Sequence, residues 1–291
     1  MGFSDLGCFG GEIETPNLDS LSANGLRFTE FYNTARCWPT RATMLSGRYS
    51  DKLTSSQVII PQLLKESGYQ TGMVGKWHLG MNPKKDGPIQ RGVDDFYGTM
   101  TGAGSFWDPY TLTRNTEPIE PDAEDYYYTD KIGQEAVRQI ESFAKSKKPF
   151  FQYVAFTAAH WPMHAREETI KKYKGKYDAG YKSIREKRFK KMKELGIIKK
   201  DSKLSPQPWE WGKVEEEEWE IRCMEVYAAM VDEMDQGIGQ IVETLEKTQR
   251  MDNTLILFLQ DNGGCAEAFG RGKNKTTGPR AAKPSLTPMK K

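Results

Sequence analysis

The 291 residues contain 42 Lys and Arg against 40 Asp and Glu, and the resulting formal charge of +2 offers no global attraction for nucleic acid or an anionic membrane surface. No run of about 18 apolar residues occurs, so no spanning helix is expected. Four cysteines without Cys-x-x-Cys spacing argue against a structural zinc site and against a dense disulfide framework, although a single Cys8–Cys265 bridge is compatible with the sequence.

In chain order, Thr15-Pro16-Asn17-Leu18-Asp19 reads as a turn and helix cap before Leu21. Pro39 suits the first turn of a helix that Ala42, Met44 and Leu45 continue up to Gly47, and it places Cys37 beside the unpaired amides of a helix N-terminus. Val58 to Ser67 predicts a short helix with Pro61 in its early turn and Gly68 as its stop. Tyr69 to Val74 has strand character and delivers Lys76 and His78 at its end. A helix is predicted over Tyr128 to Ala144, then an apolar strand over Phe150 to Thr157 whose exit carries His160 and His164.

Residues from about 165 to 214 turn lysine-rich and read as a solvated helical insertion beside the sheet. Glu215 to Thr248 is the strongest helical region, with Met224, Tyr227, Met230, Val231, Met234, Ile238, Ile241, Val242 and Leu245 forming one broad apolar face. Thr254 to Leu259 predicts a short buried strand with Asp261-Asn262 just beyond it. Helix, strand and polar loop thus recur, which predicts an α/β sheet, mostly parallel, between helices, with its chemistry outside the strand carboxyl ends. Gly270 to Lys291 reads as a flexible or atypical tail after a catalytic domain over 1–269.

Cys37 taken alone is either a buried apolar residue or a thiolate activated by a base, and nothing selects His78 or His160 as its partner. Its surroundings narrow the choice. Cys37, Pro39, Thr40, Arg41, Ser46 and Gly47 match every specified position of Cys-x-Pro-Ser/Thr-Arg followed by four residues and Thr/Ser-Gly. By this motif the chain resembles the type I, formylglycine-dependent sulfatases, in particular their bacterial arylsulfatase-like branch. Gly75-Lys76-Trp77-His78-Leu79-Gly80, Arg91 to Gly98, Ala159-His160-Trp161-Pro162 and Asp261-Asn262-Gly263-Gly264 extend the likeness over most of the chain.

The resemblance implies the alkaline-phosphatase-like sulfatase fold and a sulfuric ester hydrolase in which a formylglycine-generating enzyme oxidises Cys37. It also implies a divalent cation, usually calcium, held by residue 37, Asp261 and Asn262, and a small-molecule sulfate ester as substrate. Carried onto these positions, Arg41 neutralises charge at residue 37, Lys76 contacts sulfate or the nucleophile, His78 is the base that expels sulfate, and His160 binds sulfate and protonates the departing alcohol. His164 is either a substrate-pocket contact or a structural loop residue. Trp38, Trp107 and Trp161 either face an aromatic ester or pack in the core.

Family members place an Asp-Asp metal pair just upstream of a segment like Met1-Gly2-Phe3-Ser4-Asp5, and a further lysine and smaller subdomain downstream, so the sequence reads as cut short at both ends. Asp94-Asp95 is not a replacement pair, since it falls in a pocket-shaping block. An inactive fold fragment that binds an anion or partner, and a phosphomonoester or phosphonate hydrolase, stand as alternatives. A complete family member is expected to be periplasmic or secreted, although Met1 to Asp5 shows no secretion signal.

Overall fold

The computed structural model describes residues 1–207, 210–214 and 216–264. Two compact units share them: one takes Met1–Tyr32, Met163–Gln236 and residues 263–264, the other Asn33–Pro162 and Gly237–Asn262. Cys265 and the predicted tail lie outside the described residues.

In the second unit the elements run α2 (Cys37–Ser46), α3 (Ile60–Glu66), β1 (Gln70–Gly75), β2 (Asp95–Thr99), β3 (Leu112–Arg114), β4 (Glu117–Pro118), α4 (Tyr128–Ala144) and β5 (Phe150–Ala155); α1 (Pro16–Ala23) precedes them in the first unit. The sheet order is β4-β3-β2-β1-β5. β1 runs parallel to β2 and to β5, pairing Met73 with Phe96 and with Tyr153, whereas β3 and β4 add an antiparallel edge. The sheet is therefore mixed, with the expected parallel part confined to its three longer strands.

β1 is buried along almost its whole length and reads as the continuous small and apolar run Thr71-Gly72-Met73-Val74, as a strand covered on both faces should. On one face Met73, Phe96 and Ala155 pack with Leu45 of α2, Ile59, Trp77, Val93 and Met100. On the other lies α4, whose Ile132, Ala136, Ile140 and Phe143 recur at helical spacing and are all buried. Burying an isoleucine of this kind contributes about 1.5–3 kcal/mol.

β1 stops at Gly75, whose φ of 93° belongs to the left-handed region and where a Cβ would stand hard against the Ala155 carbonyl oxygen. A side chain there would collide with β5, so only glycine lets the chain turn at this point. The turn threads the next residues between the neighbouring strand ends: Lys76 N donates to Ala155 O at 2.9 Å, Trp77 N to Thr99 O at 2.9 Å, and His78 N to Met100 O at 3.2 Å.

The predicted strand Thr254–Leu259 does not form. The segment is neither helix nor strand and pairs with no described strand, and Leu255, Leu257 and Phe258 are exposed. The apolar run has the composition of a buried strand, but a strand exists only through a partner's hydrogen bonds.

In the first unit, α1 begins after Thr15, whose hydroxyl accepts Gly7 N–H at 2.9 Å and bonds Asp19 at 3.1 Å. The lysine-rich stretch forms α5 (Glu167–Lys172) and α6 (Gly180–Glu194). α6 is solvated only in part: Arg188 turns inward and pairs with Asp5 at 2.5 Å and Glu12 at 2.6 Å. The long helix α7 (Glu217–Lys247) supplies its earlier residues to this unit and its end, from Gly237, to the other. No helix among the described residues is long and apolar enough to cross a membrane.

Candidate active site

The second unit brings together Cys37, Arg41, Lys76, His78, His160, Asp261 and Asn262. Each arrives for a local reason. α2 opens at Cys37, so the amides of Cys37, Trp38 and Thr40 fall in its first turn, and Pro39 takes a position where a missing N–H leaves nothing unsatisfied. The Cys37 N–H does not stay unpaired. With its amide in the orientation that satisfies both ends, Asn262 accepts the Cys37 N–H at 3.1 Å and donates to the Asp261 carboxylate.

One turn later Arg41 is on the buried face of the same helix. Its Nε donates to Asp261 Oδ2 at 2.9 Å, and its Nη1 to the Lys76 carbonyl at 2.6 Å and the Tyr153 hydroxyl at 3.1 Å. Burial works against the guanidinium charge; Tyr153, Asp261 and Cys37 outweigh it and leave the pKa above its ordinary value. Burial also pushes the Asp261 carboxyl up, but Arg41, then Lys76, then His160 override it and hold the group ionised below the usual carboxylate range.

Lys76 is buried as well, and its side chain bonds Cys37. Loss of water and then the positive charge of Arg41 bring its pKa down to about 8, with Asp261 and Cys37 resisting the fall. Two cationic side chains therefore converge on residue 37 with one carboxylate between them. Such a site is short of negative charge and suited to an oxyanion.

His78 follows Lys76 with a φ of 58°, in the left-handed region that non-glycine residues rarely adopt. Its ring meets Trp38 edge to face, with centroids 5.9 Å apart. Trp38 is half exposed. His160, beyond β5, donates its own N–H to Thr157 O at 2.9 Å and places Nδ1 2.6 Å from the Trp161 carbonyl, which orients the imidazole. Its charge reaches Asp261.

His164 belongs to the first unit, where burial lowers its pKa and favours the neutral ring. Asp94 and Asp95 hold ion pairs with Lys65 at 2.5 Å and Arg138 at 2.7 Å.

Sequence reasoning missed Tyr153. It sits in an apolar strand and reads as core, and only the pairing of Tyr153 with Met73 across β1 and β5 reveals that its hydroxyl ends on Arg41. The sole signal was a polar-tipped aromatic in the strand that leads to His160.

A mixed α/β sheet whose parallel strands exit at cationic and imidazole side chains, around the N-terminus of a helix, is the setting of a site suited to an oxyanion. Comparison with known proteins gives the class its family: the family described as Sulfatase matches residues 1–285. The chain belongs to the sulfatase family and has its α/β, alkaline-phosphatase-like fold. It is 35% identical to an arylsulfatase of Klebsiella aerogenes over 90% of this chain and 64% of that protein. It is 32% identical to an uncharacterised sulfatase of Schizosaccharomyces pombe over 90% of this chain and 56% of that one. The solved structure of Ps i-CgsB in complex with k-i-k-neocarrahexaose superposes with a TM-score of 0.65 at 26% identity, covering 87% of this chain and 54% of its own. The chain thus spans between half and two thirds of the length of these relatives.

Proposed function

We propose that the chain carries the nucleophile end of a sulfuric ester hydrolase, arylsulfatase-like, that releases inorganic sulfate. The observation that carries the reading is the convergence of Arg41, Lys76, Asp261 and Asn262 on Cys37. Oxidised to formylglycine, residue 37 supplies a hydrated aldehyde, two oxygens on one carbon, one to take sulfur and the other to release it as sulfate.

The chain's own residues do the rest. Arg41 keeps positive charge beside residue 37 at every accessible pH, and Lys76, an ammonium below about pH 8, faces the sulfate oxygens. Both favour the transition state, in which negative charge on those oxygens grows. His160, oriented through the Trp161 carbonyl, gives a proton to the departing alcohol oxygen. His78 takes the proton whose loss expels sulfate from the enzyme.

Calcium takes six to eight oxygens, and Asp261 and Asn262 offer it two side chains, with both Asp261 oxygens already engaged. Among the described residues no group of three or more His, Cys, Asp and Glu is placed to hold a metal. These residues alone do not fit the ion.

The test is co-expression with a formylglycine-generating enzyme, the partner this reading requires, followed by peptide mass at residue 37 and an assay of sulfate release from an aryl sulfate. Oxidised Cys37 with sulfate release, both lost in Cys37→Ala, is the expected result. Equal turnover by the unoxidised thiol, or phosphate esters cleaved in preference to sulfate esters, overturns the reading. For a complete member of the family we expect a periplasmic or secreted location.

A further inference from the structure

We propose that Gly102 is a positioning residue for His78: the missing side chain at 102 is the space in which the imidazole lies. A methyl group built on Gly102 would stand 2.5 Å from His78 Nδ1 and 2.6 Å from Nε2, and closer still to Cε1. The three atoms nearest to that methyl group all belong to this one ring. Gly102 is buried and is not among the glycines with positive φ, so its backbone accepts alanine and the first obstacle a methyl group meets is the imidazole.

The ring has little freedom to retreat. Trp38 also meets it, edge to face, at 5.9 Å with an interplanar angle of 63°. His78 itself is fixed at φ 58° with its N–H on the Met100 carbonyl, two residues before Gly102. The chain leaving β2 therefore holds His78 twice, by a backbone bond from Met100 and by the vacant face of Gly102. Trp38, which touches the same ring, is the neighbour of Cys37 in sequence.

The role assigned to Gly102 in turnover rests on the hydrolase reading, but its contact with the ring does not, and the test separates the two. The chain has three histidines, so proton–carbon correlation of the imidazole Cε1–H groups gives three resonances, of which His78→Ala identifies one. Gly102→Ala should shift that resonance and leave those of His160 and His164 in place. In sulfate release it should lower kcat by about 10²-fold, the scale of a misplaced reacting group, with KM changing by less than about threefold.

In a His78→Ala background the same substitution should change kcat by less than about twofold, since the ring it displaces is gone. Should Gly102→Ala fail to fold, Gly102→Ala combined with His78→Ala should fold as His78→Ala does. An unmoved His78 resonance, a kcat deficit that persists in the His78→Ala background, or a double variant that does not fold overturns the proposal. A wild-type protein that releases no sulfate overturns the hydrolase reading instead, and the resonance arm still decides the placement of Gly102.

Discussion

Asp261 is the residue on which the site's charges balance. The Arg41 side chain is only 6% exposed, and a buried guanidinium persists because a carboxylate neutralises it. Asp261→Ala would leave that charge with the Lys76 carbonyl and the Tyr153 hydroxyl alone. Urea denaturation should show a loss of about 3 kcal/mol, in the range found when one partner of a buried pair is removed. Most of the site residues were legible beforehand because they occur in short ordered motifs around Cys37, Lys76, His160 and Asp261. Tyr153 and Gly102 were not. Each acts through a distant residue, Arg41 and His78 respectively, and residue type reveals nothing about which neighbour folding will supply.

Among the elements, β1 depends on an acidic clasp at its start. Asp94 Oδ2 accepts from both the amide and the hydroxyl of Thr71 at 3.0 Å, and Lys65 of α3 lies 2.5 Å from its other oxygen. Burial alone would raise the Asp94 pKa; Lys65 and Thr71 override it and lower it below the unfolded value. A carboxylate with a depressed folded pKa contributes its full stability above the unfolded pKa and loses it as pH falls through the folded one. Both partners being more than a third exposed, Asp94→Ala should cost only about 0.5–1 kcal/mol at pH 7 by urea denaturation, and the difference from wild type should shrink as pH falls through the depressed pKa of the folded state.

Helix α4 was legible to the residue, because seventeen residues of apolar spacing leave little ambiguity. Strands β2, β3 and β4 were not read as strands. They are two to five residues long and mix glycine, threonine and charge, so their identity comes from register with β1 and not from composition. Thr254–Leu259 shows the converse, a strand-like composition without a strand.

At the scale of the whole molecule, the chemistry-bearing residues other than His164 lie in one compact unit, and a largely buried ionic network belongs to the other. Arg188 pairs with Asp5 and Glu12, Tyr227 donates to Asp5 at 2.5 Å, and Tyr177 donates to Glu12 at 2.8 Å. Burial opposes the Arg188 charge, and its two carboxylates more than restore it, so its pKa is pushed up. Arg188→Ala should destabilise the protein by about 3 kcal/mol in a denaturant titration, whereas Lys191→Ala, on an exposed lysine of the same helix, should change it by less than about 0.5 kcal/mol. Net charge gave no sign of this asymmetry, since it counts both kinds of cation alike.

The lock on Cys37 also sets a clock. Cys37 is 8% exposed, its N–H is held by Asn262, and the neighbouring Asp261 pairs with Arg41 from 220 positions further along the chain. A ribosome makes the thiol early and its lock late. Under the reading proposed here, an oxidising enzyme meets an open Cys37 peptide only while the later part of the chain is still being synthesised or has yet to fold, and completion of the fold ends that opportunity.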